Sequence, residues 1–246
     1  IKVTHVEAGI RSGDMTMPEE INRIVTDSIT DYFFTTSTTA SENLLKYGAN
    51  PNDIHFVGNV MIDTLTQNLN RISAPAFWDE FGLATGNYIV LTLHRPANVD
   101  EAQSLLTLLQ GIDALAGDKK IIFPVHPRTK AILGDRSLAL KNTLMIEPQG
   151  YLNFMFLVKN SFAVITDSGG ISEETTVLGV PCFTMRNNTE RPETQTIGTN
   201  TLVGTSIENL EKLFGDFLKN GPKPAGIPEL WDGKASERII EILLQK

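Results

Sequence analysis

Residues 162–181, FAVITDSGGISEETTVLGVP, carry the reading of the fold. An apolar run over 163–166 suits a buried parallel strand. It meets a Gly169-Gly170 turn, and a helix is expected over 171–178, stopped by Gly179. A strand that passes through glycines into a helix leaves main-chain N–H groups and the positive end of the helix dipole facing a crevice, which suits an anion. Glu173 and Glu174, in the first turns, are candidates for hydrogen bonds to a ribose diol. Phosphate and ribose together describe a nucleotide. A capped helix with acidic residues in its first turn explains the same letters, because the dipole favours such charges by about 0.3–1 kcal/mol each.

Outward from this stretch, strands alternate with helices along the chain, the pattern of parallel sheets with crossover helices. Strands are expected at 2–6, 32–35 and 55–58, then at 88–93, 121–125, 144–146, 163–166, 182–185 and 201–203. The last six complete a doubly wound sheet, whereas the first three read as the tail of a sister domain whose earlier strands are missing. Pro18 opens a helix with its apolar face at Ile21, Ile24, Val25 and Ile29, and a second helix runs over 39–47 to Gly48. The irregular passage 71–86 separates the two series, and the final helix shows an apolar face at Ile239, Ile240, Leu243 and Leu244.

The 246 residues are enough for a substantial core, with 41% hydrophobic and 20% charged residues. A net charge of −8 argues against a nucleic-acid footprint, so cations must be concentrated wherever a diphosphate binds. Cys182 is the only cysteine, which rules out a disulfide framework and fits a cytoplasmic setting. No apolar run reaches the length of a membrane span. The four histidines are not at metal-ligand spacing, so neither metal nor cofactor is expected.

Reactive side chains gather at strand ends and helix starts. Glu7 follows a strand and precedes Ala8-Gly9, while Glu19 and Glu20 open the next helix. Two carboxylates in different surroundings are a common source of an acid and a base, although Glu19 and Glu20 also fit a simple first-turn role. His94 ends YIVLTLH with Arg95 behind it, a placement suited to phosphate or to a structural histidine. His126 in PVHPR sits similarly within a rigid turn, and His5 and His55 read as structural. Arg191, in MRNNTERPE, can reach a nucleotide sugar or belong to a surface loop. Gln149 and Phe154, in QGYLNF, offer an edge and a face to a pyrimidine, or the aromatics belong to the core.

Taken in order, HVEAGIRSGD, PEEINR, TLHRPANVD, PVHPR, PQGYLNF, TDSGGISEE and MRNNTERPETQTIGTN closely resemble the non-hydrolysing UDP-N-acetylglucosamine 2-epimerases over nearly the whole chain. The resemblance implies an α/β protein with two Rossmann-like domains of the B-type glycosyltransferase architecture, the first truncated at its N-terminus. The expected division is 1–70 for the incomplete first domain, 71–86 for the linker, 87–230 for the UDP-binding domain and 231–246 for a helix returning to the first. It implies catalytic roles for Glu7 and Glu19, and a catalytic or phosphate-side role for His94. Ser168, Gly169 and Gly170 match the diphosphate turn, Glu174 the ribose ligand, Gln149 and Phe154 the uracil contacts, and Arg191 a further nucleotide contact.

The implied reaction interconverts UDP-N-acetylglucosamine and UDP-N-acetylmannosamine through a 2-acetamidoglucal, for surface polysaccharide, in a homodimer without nucleic-acid or membrane partners. A glycine-rich basic segment and a catalytic aspartate of the family would lie before Ile1. The 246 residues alone are therefore expected to bind a uridine nucleotide weakly without turnover. A related UDP-diacetamido-uronic acid as substrate, a B-type UDP-sugar glycosyltransferase, and a UDP-binding fragment without activity are the competing expectations.

Overall fold

The structure is a computed structural model describing residues 1–134 and 140–245. Residues 135–139 of the expected 87–230 unit, and residue 246, lie outside the described residues. Two parallel sheets organise the chain. The first comprises β1 (Thr4–Val6), β2 (Tyr32–Thr35) and β3 (Ile54–Phe56), with α1 (Pro18–Ser28) and α2 (Thr38–Lys46) as crossovers and α3 (Val60–Asn68) after it. The second contains β4 (Tyr88–Thr92), β5 (Lys120–Pro124), β6 (Thr143–Ile146), β7 (Ala163–Thr166), β8 (Cys182–Thr184) and β9 (Asn200–Leu202). Its helices are α4 (Pro96–Val99), α5 (Ala102–Leu115), α6 (Pro127–Leu133), α7 (Tyr151–Lys159), α8 (Gly169–Leu178), α9 (Pro192–Thr196) and α10 (Ile207–Asn220), with α11 (Ala235–Leu243) closing the chain.

The second sheet runs β6-β5-β4-β7-β8-β9, every pairing parallel. Its order reverses between β4 and β7, and in such sheets the crevice beyond the carboxyl ends of the two strands at the reversal receives the ligand. Both faces are covered. Leu91, Phe123, Ile165 and Phe183 point into one apolar cluster, while their neighbours Val90, Ile122, Val164 and Cys182 point into another. That two-sided burial is why these strands read as unbroken apolar runs.

The passage 71–86 is irregular but firmly packed. Phe77, Trp78 and Phe81 lie against the second cluster, and Trp78 meets Tyr88 and Phe156 edge-on at 5.6 and 5.0 Å. After α10 the chain returns to the first sheet. Trp231, 2% exposed, donates its indole N–H to the Thr36 carbonyl at 3.0 Å. α11 has no side-chain cap of its own; Asp63 of α3 supplies one, accepting from the Ala235 and Ser236 amides at 3.0 and 2.6 Å. Ile239 then packs on Phe34 and Val57.

The helix expected over 171–178 begins two residues earlier, so Gly169 and Gly170 are its first residues and not a separate turn. Neither glycine has a positive φ. Gly179 does close the helix, in the left-handed conformation at φ 71°.

Candidate active site

The carboxyl ends of β1, β4 and β7 open onto one cavity of about 300 Å³. It is lined by Glu7, Glu19 and Arg23 from one lobe, and by His94, Arg95, Ser168, Gly169, Gly170, Glu173 and Arg191 from the other. A larger cavity of 740 Å³ lies between the C-terminal ends of α8 and α10. Among the described residues its charged lining is Asp216 and Lys223, and the Lys223 ammonium is committed to the Gln195 and Asn200 carbonyls at 2.5 and 2.6 Å.

Glu7 sits just beyond β1 with φ 64°, a left-handed conformation that costs a side-chain-bearing residue about 1–3 kcal/mol. Gly9 follows with φ 75°, and a methyl group there would collide with the Ala40 carbonyl, so only glycine allows the turn to press against α2. Burial raises the Glu7 carboxyl above the usual range, with Arg191 opposing the shift from 3.3 Å. Glu19 stands exposed at the start of α1. Its neighbour Glu20 is turned inward at 1% exposure, accepting from the Ser12 and Gly13 amides at 2.8 and 3.2 Å. Glu20 therefore shapes the loop, and Glu19 is the one that borders the cavity.

His94, just after β4, meets the Asp167 carboxylate through Nδ1 at 2.8 Å, so its other ring nitrogen is left for the cavity. Asp167 is fully buried directly after β7. His126 caps α6 by accepting the Arg128 amide at 3.2 Å, and its ring centroid lies 5.7 Å from that of His94. His5 binds Asp27 at 2.6 Å, a structural contact.

Ser168 makes no side-chain capping bond at the start of α8, unlike Ser37, Asn59 and Ser206 on their helices. The first-turn amides of α8 thus keep their donors for another acceptor. A Cβ on Gly169 would press on the Arg186 guanidinium at 3.1 Å, and one on Gly170 would meet nothing within 4 Å, so the second glycine leaves open space beside those donors.

Arg191 joins the lobes. Its guanidinium binds Glu173 and also reaches Glu7, while Asn59 donates to the same Glu173 oxygen at 2.8 Å. The two carboxylates keep Arg191 fully charged against the cost of its burial. Glu173 is therefore committed to this bridge. Among the described residues Arg23 has no hydrogen-bond partner for its buried Nη1, which stands 3.8 and 3.9 Å from Glu20 and Glu190.

Three of the expected nucleotide residues do not border this cavity. Glu174 points toward α7, accepting the Tyr151 hydroxyl at 3.0 Å, and burial pushes its carboxyl up to about 7 even though that hydrogen bond opposes the rise. Phe154 packs against the core beneath the second sheet, and Gln149 donates to the Glu147 carbonyl at 2.8 Å. Asp167 and Arg23 received no role from the sequence. For Asp167 a signal was there to be read: an acid flanked by a buried strand and a glycine pair.

The framework has counterparts among known proteins. Residues 1–244 match the family model described as UDP-N-acetylglucosamine 2-epimerase. The UDP-N-acetylglucosamine 2-epimerase of Methanocaldococcus jannaschii is 44% identical over 257 residues, covering 99% of this chain and 69% of the relative. A crystal structure of the Methanocaldococcus jannaschii UDP-GlcNAc 2-epimerase in complex with UDP-GlcNAc and UDP superposes with a TM-score of 0.85 at 43% identity, over 100% of this chain and 70% of that one. The enzyme from Neisseria meningitidis bound to UDP-GlcNAc gives a TM-score of 0.88 at 28% identity, with the same coverage of 100% and 70%.

Proposed function

Since this chain belongs to the UDP-N-acetylglucosamine 2-epimerase family, we propose that it interconverts UDP-N-acetylglucosamine and UDP-N-acetylmannosamine. One observation carries the reading: two carboxylates, a carboxylate-backed histidine and the uncapped start of α8 converge on one small cavity between the lobes.

Glu7 and Glu19 are assigned the proton transfers at C2. One takes the proton while the C1–oxygen bond to UDP breaks, leaving a 2-acetamidoglucal. The proton then returns to the opposite face of C2 and the diphosphate oxygen re-forms its bond to C1. A half-buried acid with a raised pKa and an exposed acid differ enough in environment for such a division of labour. Breaking the C1–oxygen bond moves charge onto the diphosphate, so donors preset around it help the transition state more than the ground state. Ser168, Gly169 and Gly170 are assigned that task, with Arg191 as the neighbouring cation.

The ribose is assigned to Glu174 and the uracil to Gln149 and Phe154, on the family resemblance. His94 serves the reacting end. A homodimeric, cytoplasmic protein that supplies surface-polysaccharide synthesis completes the reading, on the family resemblance and on a lone buried cysteine.

The test is to incubate the product of the complete reading frame with UDP-N-acetylglucosamine in D₂O, without any acceptor, and follow the sugar by NMR. The C2 epimer carrying deuterium at C2 is the expected product. Consumption that begins only when a sugar acceptor is added would reject the proposal.

A further inference from the structure

The carboxylate behind His94 has a geometry that says which ring nitrogen can act. Asp167 and His94 follow β7 and β4, the strands on either side of the reversal in the sheet. Asp167 is 0% exposed. Its Oδ1 lies 2.8 Å from His94 Nδ1, while its Oδ2 accepts from the Arg95 amide at 2.8 Å and Asn98 Nδ2 at 3.1 Å; the His94 amide is shared, 3.1 Å from Oδ1 and 3.0 Å from Oδ2. Burial would raise this carboxyl, but the hydrogen bonds from His94, Arg95 and Asn98 outweigh it and hold the group below its usual range. An ionised carboxylate only accepts, so Nδ1 must carry the hydrogen in their contact.

We propose that Asp167 is a positioning residue for the reaction: it locks His94 in the Nδ1–H form, so that Nε2 is the one ring atom presented to the substrate. This rests on the epimerase reading above. Asp167 stays ionised whether the ring is neutral or an imidazolium: in the first state Nε2 meets the substrate as a bare acceptor, in the second as a donor, and Nδ1 keeps its hydrogen in both. No proton passes to Asp167.

The crowding at Oδ2 makes the inference sharp. In an Asp167→Asn variant the amide oxygen must occupy that site, because the Arg95 amide and Asn98 donate to it alone and an NH₂ group would oppose both. The NH₂ then faces Nδ1, which can only accept from it, and the hydrogen moves to Nε2. Shape and volume barely change, while the tautomer inverts.

Nitrogen NMR of histidine-labelled protein reads this directly. In the unaltered chain His94 Nδ1 is expected to be protonated at neutral pH, and in D167N the neutral ring is expected to carry its hydrogen on Nε2. In the product of the complete reading frame, D167N should lower kcat by about 10²–10⁴-fold, as mis-set imidazoles do, with KM changed by no more than about threefold. Added to His94→Ala, the same substitution should cost less than about twofold more, because its effect passes through the ring. A bare Nδ1 in the unaltered protein overturns the proposal without any variant having to fold. So does a D167N loss of equal size with and without His94, or a D167N rate equal to the parent's. An inactive parent defeats the epimerase reading instead, and the NMR result still judges Asp167.

Discussion

At the scale of single residues, the site is held by charges placed where water is scarce. Glu174 is the clearest case, 4% exposed with its carboxyl pushed up to about 7 by burial. A folded-state pKa above the ordinary value of 4.5 means that the folded chain holds this proton more tightly than the unfolded chain. Its contribution to stability is therefore complete below pH 4.5 and is lost as the pH rises toward 7. Glu174→Gln, which cannot ionise, should remove that slope: relative to the parent it should gain stability between pH 5 and pH 8, as measured by urea unfolding at the two values. Equal pH slopes in both proteins would contradict the assignment. Asp167 shows the opposite outcome of similar burial, since several donors reach it. Burial raises both carboxyls, and the number of hydrogen bonds decides the net direction.

At the scale of elements, α8 is where sequence and structure part most usefully. Its start is shifted because glycine is a poor helix former, so a Gly-Gly pair reads as a break even where it forms the first turn. Gly170→Ala should stabilise the fold by up to about 1 kcal/mol, since a Cβ there meets nothing. The same methyl intrudes on the space beside the free amides, so UDP affinity should fall; calorimetry and a thermal melt together check both signs. Most strands were legible because two-sided burial makes them continuous apolar runs, as at Tyr88–Thr92. The α3 helix was not read, because its N-cap Asn59 looks like a loop residue until Met61 is seen to donate to it at 2.9 Å. Glu7, Glu19 and His94 could be found from their places at strand and helix ends. Asp167 stood out only as an acid beside a buried strand; its hydrogen-bond partners could not be read, because the three donors come from 69 to 73 residues away along the chain.

At the scale of the whole molecule, two lobes are stitched together by a few buried polar contacts and by the returning C-terminal segment. Asn59 and Glu7 reach across to Glu173 and Arg191, while Trp231 and α11 tie the end of the chain to the first sheet. Asp63 is the cap that this return depends on. Asp63→Ala should cost about 1–2 kcal/mol, the usual penalty for a lost cap. Hydrogen exchange should show protection falling over residues 235–243 while residues 169–178 keep theirs; equal loss in both would mean that the helix is not a separate tie. The backbone at Glu7 carries a different consequence. Glycine would accept φ 64° without penalty, so the backbone at this position favours a residue other than the acid to which a proton transfer is assigned. Glu7→Gly would release that backbone and at the same time give up the contact with Arg191 and the acid proposed for C2, so relief of strain at this turn competes with both the join between the lobes and the assigned chemistry.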